Sequence, residues 1–397
     1  MTSVAGAPPR AVAGDDVHAA IDQLSAALEA EAFAGWDPYD ALSSPVLRAV
    51  ARTPFLRRAA IQSLKRLPVN VRPLLGIPRQ RHTKGLALLV SAYTLLAQRE
   101  DGGRFRPHAL ELGRRLADRA VPAGHGMGWG YDFDVQTRWG FYRHGEPNAI
   151  VTAFTAHALL DLALLEGDEA HAALARETLD FALSELLVER GGDSFFAYYA
   201  GSTTVVHNAN LLLSSLFARS ATAASSGFAA AEAAMRYSLE RQHEDGSWRY
   251  GEGRGLGWVD GFHTAYVLDA LAHWHRATGD ADVEAALLHG LRFARTRLVG
   301  SDGAPLATPE ARYPIDIHAA SSLIRTLSTL GRFDPAAPGV ATRVLEWTLG
   351  RMRRSDGRFA FQRHRWYRNS IPYIRWSDAH MLLALACHTS REDGGRD

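Results

Sequence analysis

The stretch FHTAYVLDALAHW at residues 262–274, followed six residues later by ADVEAALLHGLRFARTRL at 281–298, decides the fold. The first segment is apolar on nearly every side at helical spacing, the pattern of a helix enclosed by neighbours on both flanks. The second carries one apolar stripe and a charged face, so it shows one side to water. Together they read as a hairpin of one inner and one outer helix.

The pair recurs along the chain, which is why repeats are sought before single elements. Inner segments are KGLALLVSAYTLLA from Lys84, PNAIVTAFTAHALLDLA from Pro147, HNANLLLSSLFAR from His207, FHTAYVLDALAHW from Phe262, DIHAASSLIRTLSTL from Asp316 and RWSDAHMLLALA from Arg375. Their starts lie 63, 60, 55, 54 and 59 residues apart. Outer segments begin at Pro107, Glu169, Phe228, Ala281 and Gly339, and a sixth is expected from the segment before Lys84. Six inner helices alternating with six outer ones describe an all-α (α/α)6 toroid in a single domain. A four-helix bundle or a globin would not repeat six times at this length. The expected organisation is a disordered N-terminus at 1–16, a helical segment at 17–82 packed on the toroid, and the toroid itself at 83–390.

Composition closes off several function classes. The 397 residues are 47% hydrophobic and 22% charged, enough material for a large core. Forty-four Lys+Arg balance 43 Asp+Glu, and no basic track interleaved with aromatics marks a nucleic-acid surface. Nearly all the basic residues are Arg, with Lys only at 65 and 84. The single cysteine, Cys387, excludes an internal disulfide and any zinc site needing two thiolates. His207, His263 and His318 fall on separate helices without compact ligand spacing, so no metal and no cofactor is expected. The N-terminal residues lack the basic start and apolar core of a signal peptide, and no apolar run reaches membrane length, which makes the cytoplasm the expected location. The sequence says nothing of oligomeric state.

The loops leading into the inner helices share a Gly-rich, aromatic character: GMGWGYDFD at 126, GGDSFFAYY at 191, EDGSWRYGEG at 244 and SDGRFAFQRH at 355. Loops of one class in a ring open on one face. That face is expected to receive Trp129, Tyr131, Trp139, Tyr142, Tyr198, Tyr199, Trp248, Tyr250, Trp258, Tyr373 and Trp376, together with Phe195, Trp366 and Tyr367. Such rings can plug the mouth of the ring, stack on sugars or enclose a prenyl chain.

Inner-helix N-termini aimed at one mouth bring uncapped N–H groups and partial positive charge, which favours an anionic ligand such as a carboxylate or phosphate. At those starts stand Asp132, Asp134, Glu146 and Asn148; His207, Asn208 and Asn210; Asp260 and His263; Asp316 and His318; and Arg375 with Asp378. Asn148 and Asp316 also suit helix N-caps. Asp260 and His263, three apart in one first turn, share a face and could form a hydrogen-bonded acid or base. His207 with Asn208 and Asn210, near Tyr199, offers a set able to remove a proton beside a uronate carboxylate. Asp132 and Asp134 offer instead a carboxylate pair for glycoside hydrolysis.

Two resemblances join these readings. Gln242-His243-Glu244-Asp245-Gly246-Ser247-Trp248 resembles the Q-x3-G-x-W repeat of squalene-hopene cyclases, with a degraded copy from Gln98, and implies toroid packing. The acid motif Asp-x-Asp-Asp of those cyclases is incomplete in Asp132-Phe133-Asp134-Val135. Over nearly the whole chain, GWDPYDALSS at 35, WGYDFDVQTRWGFY at 129, EPNAIVT at 146, HNAN at 207, DGFHTAY at 260 and IPYIRW at 371 resemble poorly characterised bacterial toroid proteins associated with surface-polysaccharide biosynthesis. Some of those carry the label aminolevulinate dehydratase, which this chain does not fit: that chemistry uses a Schiff-base lysine in a β/α barrel.

The expected function is therefore a carbohydrate-active enzyme that modifies or cleaves an acidic glycan or its lipid-linked precursor, by lyase, epimerase or glycosidase chemistry. Catalytic candidates are His207, Asp260, His263, Asp134 and Asp316. Substrate-binding candidates are Asp132, Glu146, Asn148, Asn208, Asn210 and Arg375 with the aromatics Trp129, Tyr131, Trp139, Tyr142, Tyr199, Trp248, Trp258, Tyr373 and Trp376. One alternative is an isoprenoid cyclase or prenyltransferase holding a diphosphate on Arg138, Arg143 and Arg375. Another is a glycan-binding or assembly protein without catalysis.

Overall fold

A computed structural model describes residues 14–167, 169–220 and 226–393. Fourteen α-helices are present among these residues: α1 (Gly14–Ala30), α2 (Pro45–Val50), α3 (Pro54–Arg66), α4 (Thr83–Ala97), α5 (Arg106–Ala117), α6 (Ala149–Glu166), α7 (Glu169–Phe181), α8 (His207–Ser220), α9 (Ser226–Leu239), α10 (Gly261–Thr278), α11 (Ala281–Arg297), α12 (Ile317–Thr329), α13 (Ala337–Met352) and α14 (Ala379–Asp393). A wide helical turn, Ile374–Asp378, leads into the last.

The inner helices close on themselves. α4 packs on α6, α6 on α8, α8 on α10, α10 on α12, α12 on α14, and α14 returns to α4. Each of α5, α7, α9, α11 and α13 packs outside the inner helix that precedes it, and α1 covers α14 as the sixth outer helix. One continuous core of Ala, Leu, Val and Ile runs through both layers, which is why the inner segments read as apolar all round. Capping sets the starts and stops. Asn148, Asp260 and Asp316 accept hydrogen bonds from first-turn amides of α6, α10 and α12, and left-handed Gly167 and Gly279 end α6 and α10.

Of the stretch 1–16 expected to be disordered, residues 1–13 lie outside the described residues, and residues 14–16 belong to α1. Because α1 completes the outer ring, the ring draws on both sides of residue 83. The loops contain short antiparallel hairpins, among them Leu187–Arg190 with Asp193–Phe196, too small to alter the all-α class. Among the described residues one helix, α6, is long and apolar enough to cross a membrane by length and composition, but two thirds (67%) of it is buried inside the ring.

The repeat at Gln242 is a packing device. Gln242 Nε2 donates to the Gly246 and Ala286 carbonyls, and the Trp248 indole donates to Ser238. Gly246 (φ +91°) lies against the His289 carbonyl, where a Cβ would collide.

Residues between α1 and α4 form an arm with a small core of its own, built from Ala41, Leu42, Ala51, Ile61, Leu64 and Ile77. Its anchor is ionic: buried Arg72 pairs with Asp40 at 2.7 Å and donates to the Asp37 carbonyl. This arm lays α3 along the rim of the ring, and α3 thereby contributes to the site described next.

Candidate active site in the ring mouth

The ring mouth holds a cavity of about 550 Å³. Its construction follows one rule: the second residue of every inner helix faces it. Lys84 from α4, Ile150 from α6, Asn208 from α8, Phe262 from α10, His318 from α12 and Arg375 from the turn before α14 all line the cavity. Side chains at this position lean past the helix N-terminus into the opening, whereas in α6, α10 and α12 the residue two places earlier turns back to cap. This divides the sequence candidates into two groups.

His263, Tyr131, Trp139, Tyr142, Asn208, Trp258, Arg375 and Trp376 line the cavity. His263 donates from Nδ1 to Asp260 Oδ2 at 2.7 Å, so its Nε2 is left for a ligand. Asp260 also accepts from the His263 amide (2.9 Å) and the Trp258 indole (3.0 Å). Burial pushes its carboxyl up, but the His263 ring and these donors outweigh burial and hold it below the usual carboxylate range. Trp139, Trp258 and Tyr250 form a stack on the same wall, with Tyr250 and Trp258 centroids 4.3 Å apart. Arg375 forms a bidentate pair with buried Asp37 (2.7 and 2.8 Å), which leaves Nη1 for a ligand.

Other candidates are placed elsewhere, each for a physical reason. His207 is buried, bonded to Ser238 Oγ at 3.0 Å, and lowered by burial to about 4. Asn210 spends its amide on Phe196, Ala234 and Ser238. Asn148 is the α6 cap, and Asp316 caps α12 while accepting from Trp376 and Gln362. Asp132 is held by Thr83 and Arg119, and Asp134 by the His144 amide in a surface turn, so the expected carboxylate pair is not in the cavity. Glu146 is exposed and bonds the Arg143 amide. Trp129 and Trp248 are core residues whose indoles bond backbone carbonyls, and Tyr373 and Phe195 are fully buried away from the cavity. Tyr199 lies behind the wall, its hydroxyl donating to the Trp139 carbonyl. Trp366 and Tyr367 stand exposed on the 362–369 hairpin.

The floor carries Lys84 and Tyr266, to which the sequence reading gave no role, and His318, which it placed at a helix start without one. Lys84 Nζ donates to the Tyr266 hydroxyl at 3.1 Å and sits over the Phe154 ring at 4.2 Å. The same hydroxyl makes a short hydrogen bond to His318 Nε2. Burial, reinforced by Arg375 and Arg325, drives the Lys84 amine well below its usual value. Burial raises Tyr266, and burial with His380 and Lys84 lowers His318 well below the imidazole range. The floor therefore holds a neutral imidazole accepting a phenol proton, with an amine donating to the phenol oxygen. Lys65, the other lysine, bonds the Tyr39 hydroxyl at 2.6 Å behind the rings of Tyr39 and Trp376.

Among the described residues, twelve aromatic side chains line the cavity and no carboxylate does. No set of three or more His, Cys, Asp or Glu able to hold a metal occurs among the described residues.

No family model and no curated protein matches the sequence. Solved structures share its fold at low identity. A GH76 alpha-mannanase of Bacteroides thetaiotaomicron is 14% identical, with 80% of this chain and 88% of that one covered and a TM-score of 0.59. Cellobiose 2-epimerase of Bacillus thermoamylovorans is 9% identical over 78% and 90%, at 0.59. An unsaturated glucuronyl hydrolase specific for heparin is 14% identical over 95% and 96%, at 0.58. The chain is an (α/α)6 toroid. Identities this low carry the fold and leave the chemistry to the site.

Proposed function

We propose that the protein is a carbohydrate-active enzyme that moves a proton at the carbon beside the carboxylate of an acidic sugar. The reading that follows is of lyase or epimerase type, with an acidic glycan or its lipid-linked precursor as substrate, in the cytoplasm and in surface-polysaccharide biosynthesis. One observation carries it: the cavity presents two histidines on polar relays, a lysine and four arginines, with no carboxylate on its lining among the described residues. Hydrolysis by a carboxylate pair has no second acid to work with here. Neighbours of the same fold include an epimerase and an enzyme acting on unsaturated glucuronyl groups.

In this reading Arg375 Nη1 holds the substrate carboxylate and Asn208 a hydroxyl. His263 Nε2, oriented by Asp260, takes the proton from the adjacent carbon, and the C–H electron pair moves into the carboxylate as an enediolate. Tyr266 turns its hydroxyl proton from His318 to the substrate, either onto the carbon from the other face as the enediolate pair returns to it, or onto the glycosidic oxygen as that pair expels it. The phenolate left behind accepts from Lys84 Nζ and regains a proton from water as His263 releases one. Trp139, Tyr250 and Trp258 stack the sugar rings.

Incubation with uronate-containing oligosaccharides in deuterated water tests this. Deuterium at the carbon beside the carboxylate, or an unsaturated uronate product, is expected, and His263→Gln should abolish it. Neither signal across a panel of uronates, or exchange that survives His263→Gln, refutes it.

The twelve aromatics with Arg58, Arg66 and Arg138 at the same cavity favour one second reading, an isoprenyl diphosphate site. Competition between an isoprenyl diphosphate and a uronate for the cavity separates the two.

A further inference from the structure

We infer that the arm at residues 45–81, with the neighbouring hairpin 362–369, docks the protein on an anionic lipid surface. The inference does not depend on which reaction the cavity carries out.

Charge comes first. Between Asp40 and Glu100 the chain has no acidic residue, while residues 45–81 carry nine Arg or Lys. Two of the nine are tied to carboxylates, Arg72 to Asp40 and Arg79 to Glu31. Arg48, Arg52, Arg58 and Arg66 have no carboxylate partner among the described residues. The 362–369 hairpin is tied to the arm through Asn369 Nδ2 and the Leu67 carbonyl (3.1 Å), and adds Arg363, Arg365 and Arg368, again without an acid. In a chain whose overall charge is +1, this concentrates a positive field on one surface.

Apolar exposure coincides with it. Val50 (63% exposed), Phe55 (70%) and Leu74 (86%) stand in water on the arm, and Trp366 (84%) on the hairpin. Seven of the large apolar side chains exposed among the described residues fall within 46–74. A folded domain rarely gathers such residues without a partner. A second copy of this surface would oppose cation to cation. An anionic bilayer takes both components: its headgroups pair with the arginines and its acyl boundary receives the aliphatic and Trp side chains.

Position gives the docking a consequence. Helix α3 carries Phe55 at its exposed end and lines the ring-mouth cavity with Arg58, Gln62 and Arg66. A bilayer held by the arm would therefore lie beside the cavity entrance, where a lipid-linked substrate can enter without leaving the membrane surface.

The test is sedimentation of the full chain with vesicles of phosphatidylcholine alone or with about 30 mol% phosphatidylglycerol, chosen to span neutral and anionic surfaces. At least about tenfold stronger partitioning to the anionic vesicles is expected. Each surface cation accounts for about fivefold, so R48E/R52E/R365E should weaken binding at least about a hundredfold. V50S/L74S/W366S should abolish whatever binding persists at about 0.5 M salt, where charge is screened. None of these residues lines the cavity, and unchanged circular dichroism and melting verify the fold. Absence of vesicle binding by folded protein, equal binding to neutral vesicles, or full binding by the charge-reversed variant overturns the inference. Binding of DNA or polyglutamate in preference to anionic vesicles overturns it as well, by assigning the surface to another polyanion.

Discussion

Replacing Lys84 with Met should make the protein more stable at neutral pH. Lys84 is 4% exposed on the cavity floor and is pushed well below its ordinary pKa, first by burial and then by Arg375 and Arg325. For a base whose folded pKa is lowered, the unfolded chain binds more protons between the folded value and about 10.4, so the wild type loses stability as pH falls through that window. The slope is about 1.4 kcal/mol per pH unit, so the penalty at pH 7 cannot exceed about 5 kcal/mol. Against it stands the Nζ bond to Tyr266 at 3.1 Å, which contributes about 1 kcal/mol; the uncharged amine over the Phe154 ring at 4.2 Å gains no cation–π attraction. Methionine fills a similar volume, so Lys84→Met should gain stability at pH 7, by up to about 4 kcal/mol, with the gain shrinking as pH rises toward 10. Urea unfolding of both proteins from pH 6 to about pH 10 measures this directly. A variant less stable than wild type at pH 7, or a difference that does not change with pH, refutes the reasoning. The same variant should lose turnover more than uronate binding, because Lys84 acts on the Tyr266 hydroxyl and a group that costs stability persists for what it does in the cavity.

Four further outcomes follow from the same geometry. Asp260→Asn keeps the α10 cap but puts an amide where a charged acceptor met His263 and Trp258, so stability should drop about 1–3 kcal/mol and solvent exchange at least about a hundredfold; His207→Ala should leave exchange per folded molecule unchanged within a few-fold. Asp37→Asn strands the buried Arg375 charge and should cost about 3–5 kcal/mol in urea unfolding at pH 7. Burial raises Asp37, but Arg375 outweighs it and holds the carboxyl below its usual value, so its stabilising contribution is complete above about pH 4 and lost as pH falls further; acid titration should be steeper for wild type than for the variant. Burial lifts the Cys387 thiol to about 12, so a thiol reagent at neutral pH should react only as the protein unfolds.

The ring was legible because its signal is periodic: six apolar segments at near-constant spacing leave few architectures. Helix starts read from sequence fall within two residues of those observed for α4, α6, α8, α10 and α12. The site was half legible, and the reason is the phase of the first turn. Candidates were drawn from every polar residue near a helix start, but three adjacent positions there have three fates. The cap position turns back to the amides, as Asn148, Asp260 and Asp316 do. The first helical position is buried between neighbours, as His207 is. Of these three, the second helical position faces the cavity in all six helices, and the third helical position joins it at His263 and Trp376. Applied to the sequence, that phase selects Lys84 and His318 and rejects His207. Tyr266 follows one turn below Phe262. The indoles divide on another ground: Trp129 and Trp248 satisfy their N–H on backbone carbonyls inside the core, which composition cannot show.

The placement of charge also decides between reaction types. Three aspartates reach the mouth of the ring, and all three stand behind other groups: Asp37 behind Arg375, Asp260 behind His263, Asp316 behind Trp376. An anion about 4 Å from Arg375 gains about 4 kcal/mol at an effective dielectric near 20, and a carboxylate about twice as far away takes back about half. A net attraction of about 2 kcal/mol remains, strengthened by the helix N-termini that surround the cavity. A carboxylic acid placed against Arg375 would be held ionised, as Asp37 is, and could not protonate a leaving group near neutral pH; Asp316 is raised by burial but spends its oxygens on the His318 amide, Trp376 and Gln362. An enediolate, in contrast, gathers negative charge on the oxygens nearest Arg375 as the proton leaves, so the field acts on the transition state more than on the bound sugar. The arrangement that disfavours a carboxylate pair is the one that favours proton abstraction beside a substrate carboxylate.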